Sequence, residues 1–141
     1  MKYRNDGDKI FVSLAPGDEI VNSITSVAHQ ERLGSGWVLG IGAMENLLVG
    51  YYNVPKQEYL EREYPGEYEL LSLSGNISLK DGDPFFHPHI TFSGEDFQVF
   101  GGHLFNGTIS AAGEFVILTG QKAIPRRFNE QVGLALWSLE S

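Results

Sequence analysis

The chain has 141 residues, of which 42% are hydrophobic and 20% are charged, and its formal net charge is −8. This length and composition are typical of one globular domain, and we expect a single domain over residues 1–141. The sequence contains no cysteine, which excludes disulfides and thiolate metal sites. The acidic charge disfavours direct binding to nucleic-acid phosphates. We find no apolar run near the N-terminus, so we expect no membrane span and a cytoplasmic protein.

The first part of the chain predicts one strand and one helix. Ile10 to Leu14 has the pattern of a strand, and Pro16-Gly17-Asp18 ends it. Apolar residues then recur at helical spacing from Ile20 to about Arg32, which predicts one amphipathic helix. His29 falls in the last turns of this helix. We interpret it as a solvated side chain or one that pairs with the helix dipole, and leave it out of the candidate site.

The remainder of the chain predicts strands joined mostly by short turns. Pro55 to Pro65 is polar, and we interpret it as a loop or irregular segment over the sheet. Asp81-Gly82 is a strong turn signal. One helix with many strands predicts an α+β fold with a largely antiparallel, mixed sheet. The strands are expected near residues 10–14, 37–42, 46–53, 67–79, 85–92, 108–118 and 132–139.

Three of the four histidines lie close together in the sequence. His87 and His89 are two residues apart, so both side chains point to one face of a strand. If 94–96 forms a three-residue loop, His103 lies opposite His87 on that same face. Three imidazoles with an open fourth position suit zinc. The alternative is that these are ordinary, partly buried polar side chains, and a two-residue loop would move His103 to the opposite face.

A series of short motifs runs in order through the chain and resembles the plant-and-prokaryote-conserved (PPC) domain from about Lys9 to Trp137. The resemblance implies a compact α+β domain that forms a homotrimer, and it implies that His87, His89 and His103 hold a metal ion, with zinc the first candidate. The motifs are Ile41-Gly42-Ala43, Gly50-Tyr51-Tyr52, Glu69 to Ile77, His87-x-His89, Gly101-Gly102-His103-Leu104 and Glu114.

The resemblance also bears on nucleic-acid binding. In plants this domain follows AT-hook segments in nuclear DNA-binding proteins, where it serves trimerisation and partner recruitment. No Arg-Gly-Arg-Pro-like run precedes the domain in this sequence. Together with the acidic charge, this leads us to expect no direct DNA binding. The stand-alone prokaryotic proteins that the chain resembles have no settled function as a family.

Two classes of function remain open. The first is a trimeric binding or regulatory module whose metal is structural or docks a ligand. The second is a zinc-dependent hydrolase or lyase that uses a metal-bound water, whose pKa such a site lowers to about 7. The second function needs a base or an orienting carboxylate, for which Glu114 and Glu69 are the candidates. Both are also explained as ordinary strand or surface acids, and for Glu69 we favour that explanation.

Cupins offer a rival interpretation of the histidines, because they bind metal through two histidines, a glutamate and a third histidine. Glu95 lies near the place of such a glutamate, but it falls in the predicted turn, one residue too far along. His103 also follows too soon. We therefore rank the cupin interpretation below the PPC resemblance.

A small basic cluster follows Pro125. Arg126 and Arg127 could bind an anion at a subunit boundary. The alternative is that both are solvated or paired with surface acids, in which this chain is rich.

Overall fold

The structure, a computed structural model, describes residues 1–139, so the last two residues of the expected domain lie outside it. Six strands form one sheet in the order β1-β2-β6-β3-β4-β5, and β5 also pairs with β6. Every ladder is antiparallel, and β7 and β8 form a separate hairpin. The predicted α+β class is confirmed. The elements are β1 (Lys2–Asn5), β2 (Lys9–Leu14), α1 (Ile20–Gln30), β3 (Gly36–Asn53), β4 (Glu58–Lys80), β5 (Asp83–Ser93), β6 (Val99–Thr119), β7 (Arg126–Asn129) and β8 (Leu134–Trp137).

The helix α1 has the apolar face that the spacing predicted. Ile20, Ile24 and Val27 on this face are fully buried in the core. Glu19 caps the N-terminus, because its carboxylate accepts hydrogen bonds from the backbone N–H groups of residues 21 and 22 at 3.1 and 2.7 Å. His29 is exposed in the last turn. Within residues 1–139, no helix is long and apolar enough to cross a membrane.

Strand β3 is one continuous element where the sequence predicted two. The interruption between the predicted strands reflects irregularities in the ladders, with register shifts at 40/42 and 45/47 against β4. Asn46, at the second shift, has a φ of 54°. Such irregularities break the alternation of side chains on which sequence prediction of strands depends.

The prediction of a loop over Pro55 to Pro65 is wrong. β3 and β4 form a hairpin through a short turn at residues 54–57, and β4 begins at Glu58. Gln57 has a φ of 52° in this turn. Most side chains at 58–63 are exposed, so charged residues occur on both faces and hide the strand pattern.

The core lies between α1 and one face of the sheet, where Ile24 and Ile77 are both fully buried. Side chains alternate along a strand, so the neighbouring positions face away from this core. Trp37 on β3, Asn76 on β4 and His87 on β5 are successive cross-strand partners on that other side, which we call the outer face. The candidate site lies on the outer face.

Candidate metal centre

The β5–β6 hairpin places the three histidines on neighbouring strands. His89 lies directly opposite His103, and residues 94–98 connect the last pair of the ladder, Ser93 and Val99. The predicted register, with a three-residue loop and His87 opposite His103, is therefore wrong by two residues. Because side chains alternate with a period of two, a shift of two still leaves all three histidines on one face.

The three side chains converge. Each of His87, His89 and His103 offers one nitrogen, and these nitrogens all lie within 4.8 Å of one another. Their ring centroids are 4.9 Å apart for 87 and 89, 5.1 Å for 87 and 103, and 5.6 Å for 89 and 103. Three nitrogens this close together could hold one metal ion.

Aromatic side chains surround His103 on the outer face. The ring of Phe105 lies 4.7 Å from the imidazole and that of Tyr59 lies 5.3 Å from it, measured between centroids. Gly50, the β3 partner of His103, makes room for both rings, because a Cβ there would stand 2.4 Å from Phe105 and 2.9 Å from Tyr59. This packing fixes the orientation of the imidazole.

The environment keeps two of the histidines uncharged at neutral pH. Burial, followed by the neighbouring histidines, lowers the pKa of His87 to about 4, and the Arg126 charge acts in the same direction. Burial and His89 lower the pKa of His103 to about 4. Neutral imidazole is the form that ligates a metal, because the lone pair is then free.

One buried polar atom supports the fit of the site to a metal ion. His103 Nδ1 is buried and has no hydrogen-bond partner among the described residues. Such an atom costs about 1–3 kcal/mol unless something satisfies it. A nitrogen lone pair is satisfied by a metal ion, and a three-imidazole donor set suits zinc and other borderline divalent ions. The residues present therefore fit a divalent metal.

Sequence reasoning missed the position of Arg126. This side chain reaches from β7 onto the outer face and donates hydrogen bonds to Ser78 Oγ and Asn76 Oδ1 at 2.7 and 2.9 Å. Asn76 is the cross-strand partner of His87. Arg126 thus stands beside the histidines, and the only sequence signal for it was the basic pair after Pro125. Burial lowers the pKa of Arg126, and the nearby Tyr59 side chain acts in the opposite direction.

The other sequence candidates lie elsewhere. Glu114 is exposed on β6, near the opposite end of this strand from His103, and it pairs with Ile41 on β3, whereas His103 pairs with Gly50. Glu69 is exposed on β4, and Glu95 is exposed in the β5–β6 turn. The group of clustered ligand atoms includes none of these carboxylates. Arg127 is exposed, next to Arg126 on β7.

Comparisons with solved structures agree with this fold over almost the whole chain. A plant- and prokaryote-conserved protein from Pyrococcus horikoshii is 36% identical, with a TM-score of 0.87 and coverage of 96% of this chain and 94% of that one. A metal-containing protein from Archaeoglobus fulgidus is also 36% identical at a TM-score of 0.87, with 99% and 100% covered. A candidate DNA-binding protein from Bacteroides thetaiotaomicron is 30% identical at a TM-score of 0.94, with 97% and 96% covered.

Sequence comparisons lead to the same group of proteins. The chain is 27% identical over 117 residues to AT-hook motif nuclear-localized protein 14 of Arabidopsis thaliana. The match covers 82% of this chain and 28% of that protein, so the chain spans little more than a quarter of its relative. The family model described as the Plants and Prokaryotes Conserved domain matches residues 1–121. The chain therefore belongs to the Plants and Prokaryotes Conserved domain family, as its motifs led us to expect.

Proposed function

We propose that this chain is a homotrimeric PPC-domain protein that binds one zinc ion at His87, His89 and His103 and acts as a ligand-binding or regulatory module. The observation that carries the proposal is the convergence of three imidazoles within 4.8 Å, one of them with a buried, unpartnered nitrogen. The relative from Archaeoglobus fulgidus that is described as metal-containing supports it, at 36% identity over 99% of this chain.

Each histidine has a distinct part in this site. His87 and His103 are half-buried and uncharged at neutral pH, so both are ready to ligate without first losing a proton. His89 is exposed and closes the set from the solvent side. When bound, an ion held by three protein ligands supplies a Lewis acid with a further position for a ligand. Tyr59 and Phe105 limit the approach of water to His103.

An exposed apolar patch supports the trimer. Leu39, Ile41, Phe11 and Leu118 lie on the outer face of adjacent strands and are 40–55% exposed, and Trp37 beside them is 41% exposed. Contiguous apolar surface of this kind marks contact with another protein chain. Closed cyclic symmetry lets each subunit cover such a patch on its neighbour.

The alternative function, a zinc-dependent hydrolase or lyase, has less support. A metal-bound water attacks most effectively when a carboxylate or another base can take its proton. The cavity beside His87 and His103 has no Asp or Glu among its described lining residues. Glu114, the candidate base, belongs neither to this lining nor to the group of clustered ligand atoms. Binding of a ligand at the metal is therefore better supported than hydrolysis or a lyase reaction there.

Direct DNA binding is not part of the proposal, although the similar protein from Bacteroides thetaiotaomicron carries that description. The net charge of −8 repels phosphate, and binding to the phosphate backbone supplies most non-specific affinity.

Elemental analysis of the purified protein, combined with its mass in solution, tests the proposal. We expect one zinc per chain and the mass of a trimer for the wild type. The His87→Ala variant should lose the metal, and His29→Ala, which removes an exposed histidine on α1, should keep it. Wild-type protein without metal, or metal retained by His87→Ala, would contradict the metal site. A monomeric mass would contradict the trimer.

A further inference from the structure

The chain has a cavity of about 350 Å³ that opens beside the histidines. Strands β5 and β6 pair from His89 and His103 towards their turn and diverge on the other side. The cavity lies where they diverge, and the β7–β8 hairpin closes its remaining wall. This volume is near the lower end of the range for small-molecule sites, about 300–1,000 Å³.

The cavity is electropositive in an otherwise acidic protein. Its thirteen lining residues include Arg126 and Lys80 and no Asp or Glu, whereas the whole chain carries a net charge of −8. Both cations also stand over the ring of Phe85, with Arg126 Cζ 5.0 Å and Lys80 Nζ 5.4 Å from its centroid. A zinc ion on the three histidines would add two further positive charges at the same place.

Arg126 is a half-buried cation whose hydrogen-bond partners are all neutral. Its Nε donates to Ser78 Oγ, one Nη to Asn76 Oδ1 and the other to the carbonyl of Ala135. None of the salt bridges among residues 1–139 includes it. A guanidinium has five N–H donors, so two remain, one on each terminal nitrogen. A buried charge is normally compensated by an opposite charge, and here no described side chain supplies one.

The remaining walls are apolar. Phe85, Phe105, Leu134 and Leu136 line the cavity. A compact, strongly hydrated anion such as inorganic phosphate leaves such walls uncovered, whereas a carboxylate attached to an apolar body covers them. The β7–β8 hairpin, which supplies Arg126 and both leucines, lies beyond residues 1–121, the part that the family model matches.

We propose that this cavity binds a small organic carboxylate with an apolar or aromatic body, whose anionic end lies between Arg126 and the metal held by the three histidines. The inference rests on the proposed metal site for one of its two anchors and on Arg126 for the other. Arg126 is the positioning cation, and the aromatic and leucine side chains select for the apolar body.

Calorimetric titration with benzoate, benzamide and inorganic phosphate tests this inference on the zinc-loaded protein. Benzoate and benzamide have the same shape and differ in charge. We expect benzoate to bind at least about ten-fold more tightly than either benzamide or phosphate, because charged hydrogen bonds are worth about 1.5–3 kcal/mol. Equal affinity for benzamide would overturn the anion site, and equal affinity for phosphate would overturn the carboxylate assignment.

Two variants of equal charge locate the binding group. Arg126→Met keeps the apolar stem and should weaken benzoate binding at least about ten-fold, while Arg127→Met changes net charge equally outside the cavity lining and should leave it unchanged. Arg126→Lys, which keeps the cation and loses the fork, is the second variant should Arg126→Met fold poorly, and it should give an intermediate affinity. Equal benzoate affinity in all variants would overturn the inference.

Zinc content, measured on the same samples, separates this inference from the proposed function. Zinc bound in every variant, with benzoate affinity independent of Arg126, would overturn the carboxylate site and leave the metal site standing. A wild-type protein without zinc would refute the metal site. If the metal-free protein bound benzoate and lost this binding in Arg126→Met, Arg126 would be upheld as an anchor of the site. If benzoate binding did not depend on Arg126, that assignment would be overturned.

Discussion

Replacing His103 by phenylalanine should stabilise the metal-free protein and destroy its response to zinc. His103 Nδ1 is buried without a partner, and such an atom costs about 1–3 kcal/mol. Phenylalanine removes the nitrogen and keeps a ring against Tyr59 and Phe105. Because His103 is half-buried beside a cavity, the extra ring atom has space. We therefore expect the free energy of unfolding without metal to rise by about 1–3 kcal/mol.

Zinc should reverse the relative stability of the wild type and His103→Phe. At free zinc 1,000 times the dissociation constant, a ligand that binds only the folded state stabilises it by about 4.1 kcal/mol. The wild type should gain this amount and His103→Phe should gain nothing. The loaded wild type then becomes the more stable protein, although it is the less stable one when stripped of metal.

Urea unfolding at fixed protein concentration, in chelator and in excess zinc, measures both effects. The matched control is His29→Phe, which changes an exposed histidine on α1 and should shift stability by no more than about 0.5 kcal/mol in either condition. A metal-free His103→Phe protein less stable than the wild type by more than about 1 kcal/mol, with an unchanged denaturant slope, would refute the assignment of a buried, unsatisfied nitrogen.

Further predictions concern pH, assembly and packing. Since the pKa values of His87 and His103 are about 4 in the folded chain against 6.5 ordinarily, the unfolded chain binds more protons between those values. Metal-free stability should therefore fall as pH drops from 6.5 to 4, less steeply in His103→Phe, and an equal slope in both proteins would contradict these shifts. Leu39→Glu, on the exposed apolar patch, should lower the solution mass from trimer to monomer, whereas an intact trimer would place the interface elsewhere. Gly40→Ala should destabilise by about 1–3 kcal/mol, because the new Cβ would stand 2.0 Å from the buried ring of Phe115, and a neutral effect would show that this ring moves aside freely.

The local pattern of the sequence was sufficient to predict the helix and the common face of the histidines. Apolar spacing located α1 to within about two residues at its C-terminal end. The hairpin register was wrong by two, with His89 rather than His87 opposite His103, yet the shared face was right. The face on which a side chain lies changes only if the register is wrong by an odd number of residues. The face is therefore predicted more securely than the exact cross-strand partner.

The remaining differences between prediction and structure arise from features that the spacing of apolar residues along the sequence does not reveal. Register shifts in β3 interrupted its alternation, so one strand was predicted as two. The exposed start of β4 carries charge on both faces and was taken for a loop. Arg126 contacts Asn76 across fifty positions of the sequence, and only the folded hairpin brings them together. Glu114 was a plausible base by residue type, but it lies at the other end of β6 from His103.

The ligand shell of the bound ion is the most direct test of the three-histidine site. X-ray absorption at the zinc edge of the loaded protein should show nitrogen ligands at about 2.0–2.1 Å with scattering from three imidazole rings, plus one further light ligand. His87→Ala, His89→Ala and His103→Phe should each lose one ring or all of the zinc, and His29→Phe should match the wild type. A shell with fewer than three imidazoles in the wild type, or one unchanged in the three variants, would contradict the site.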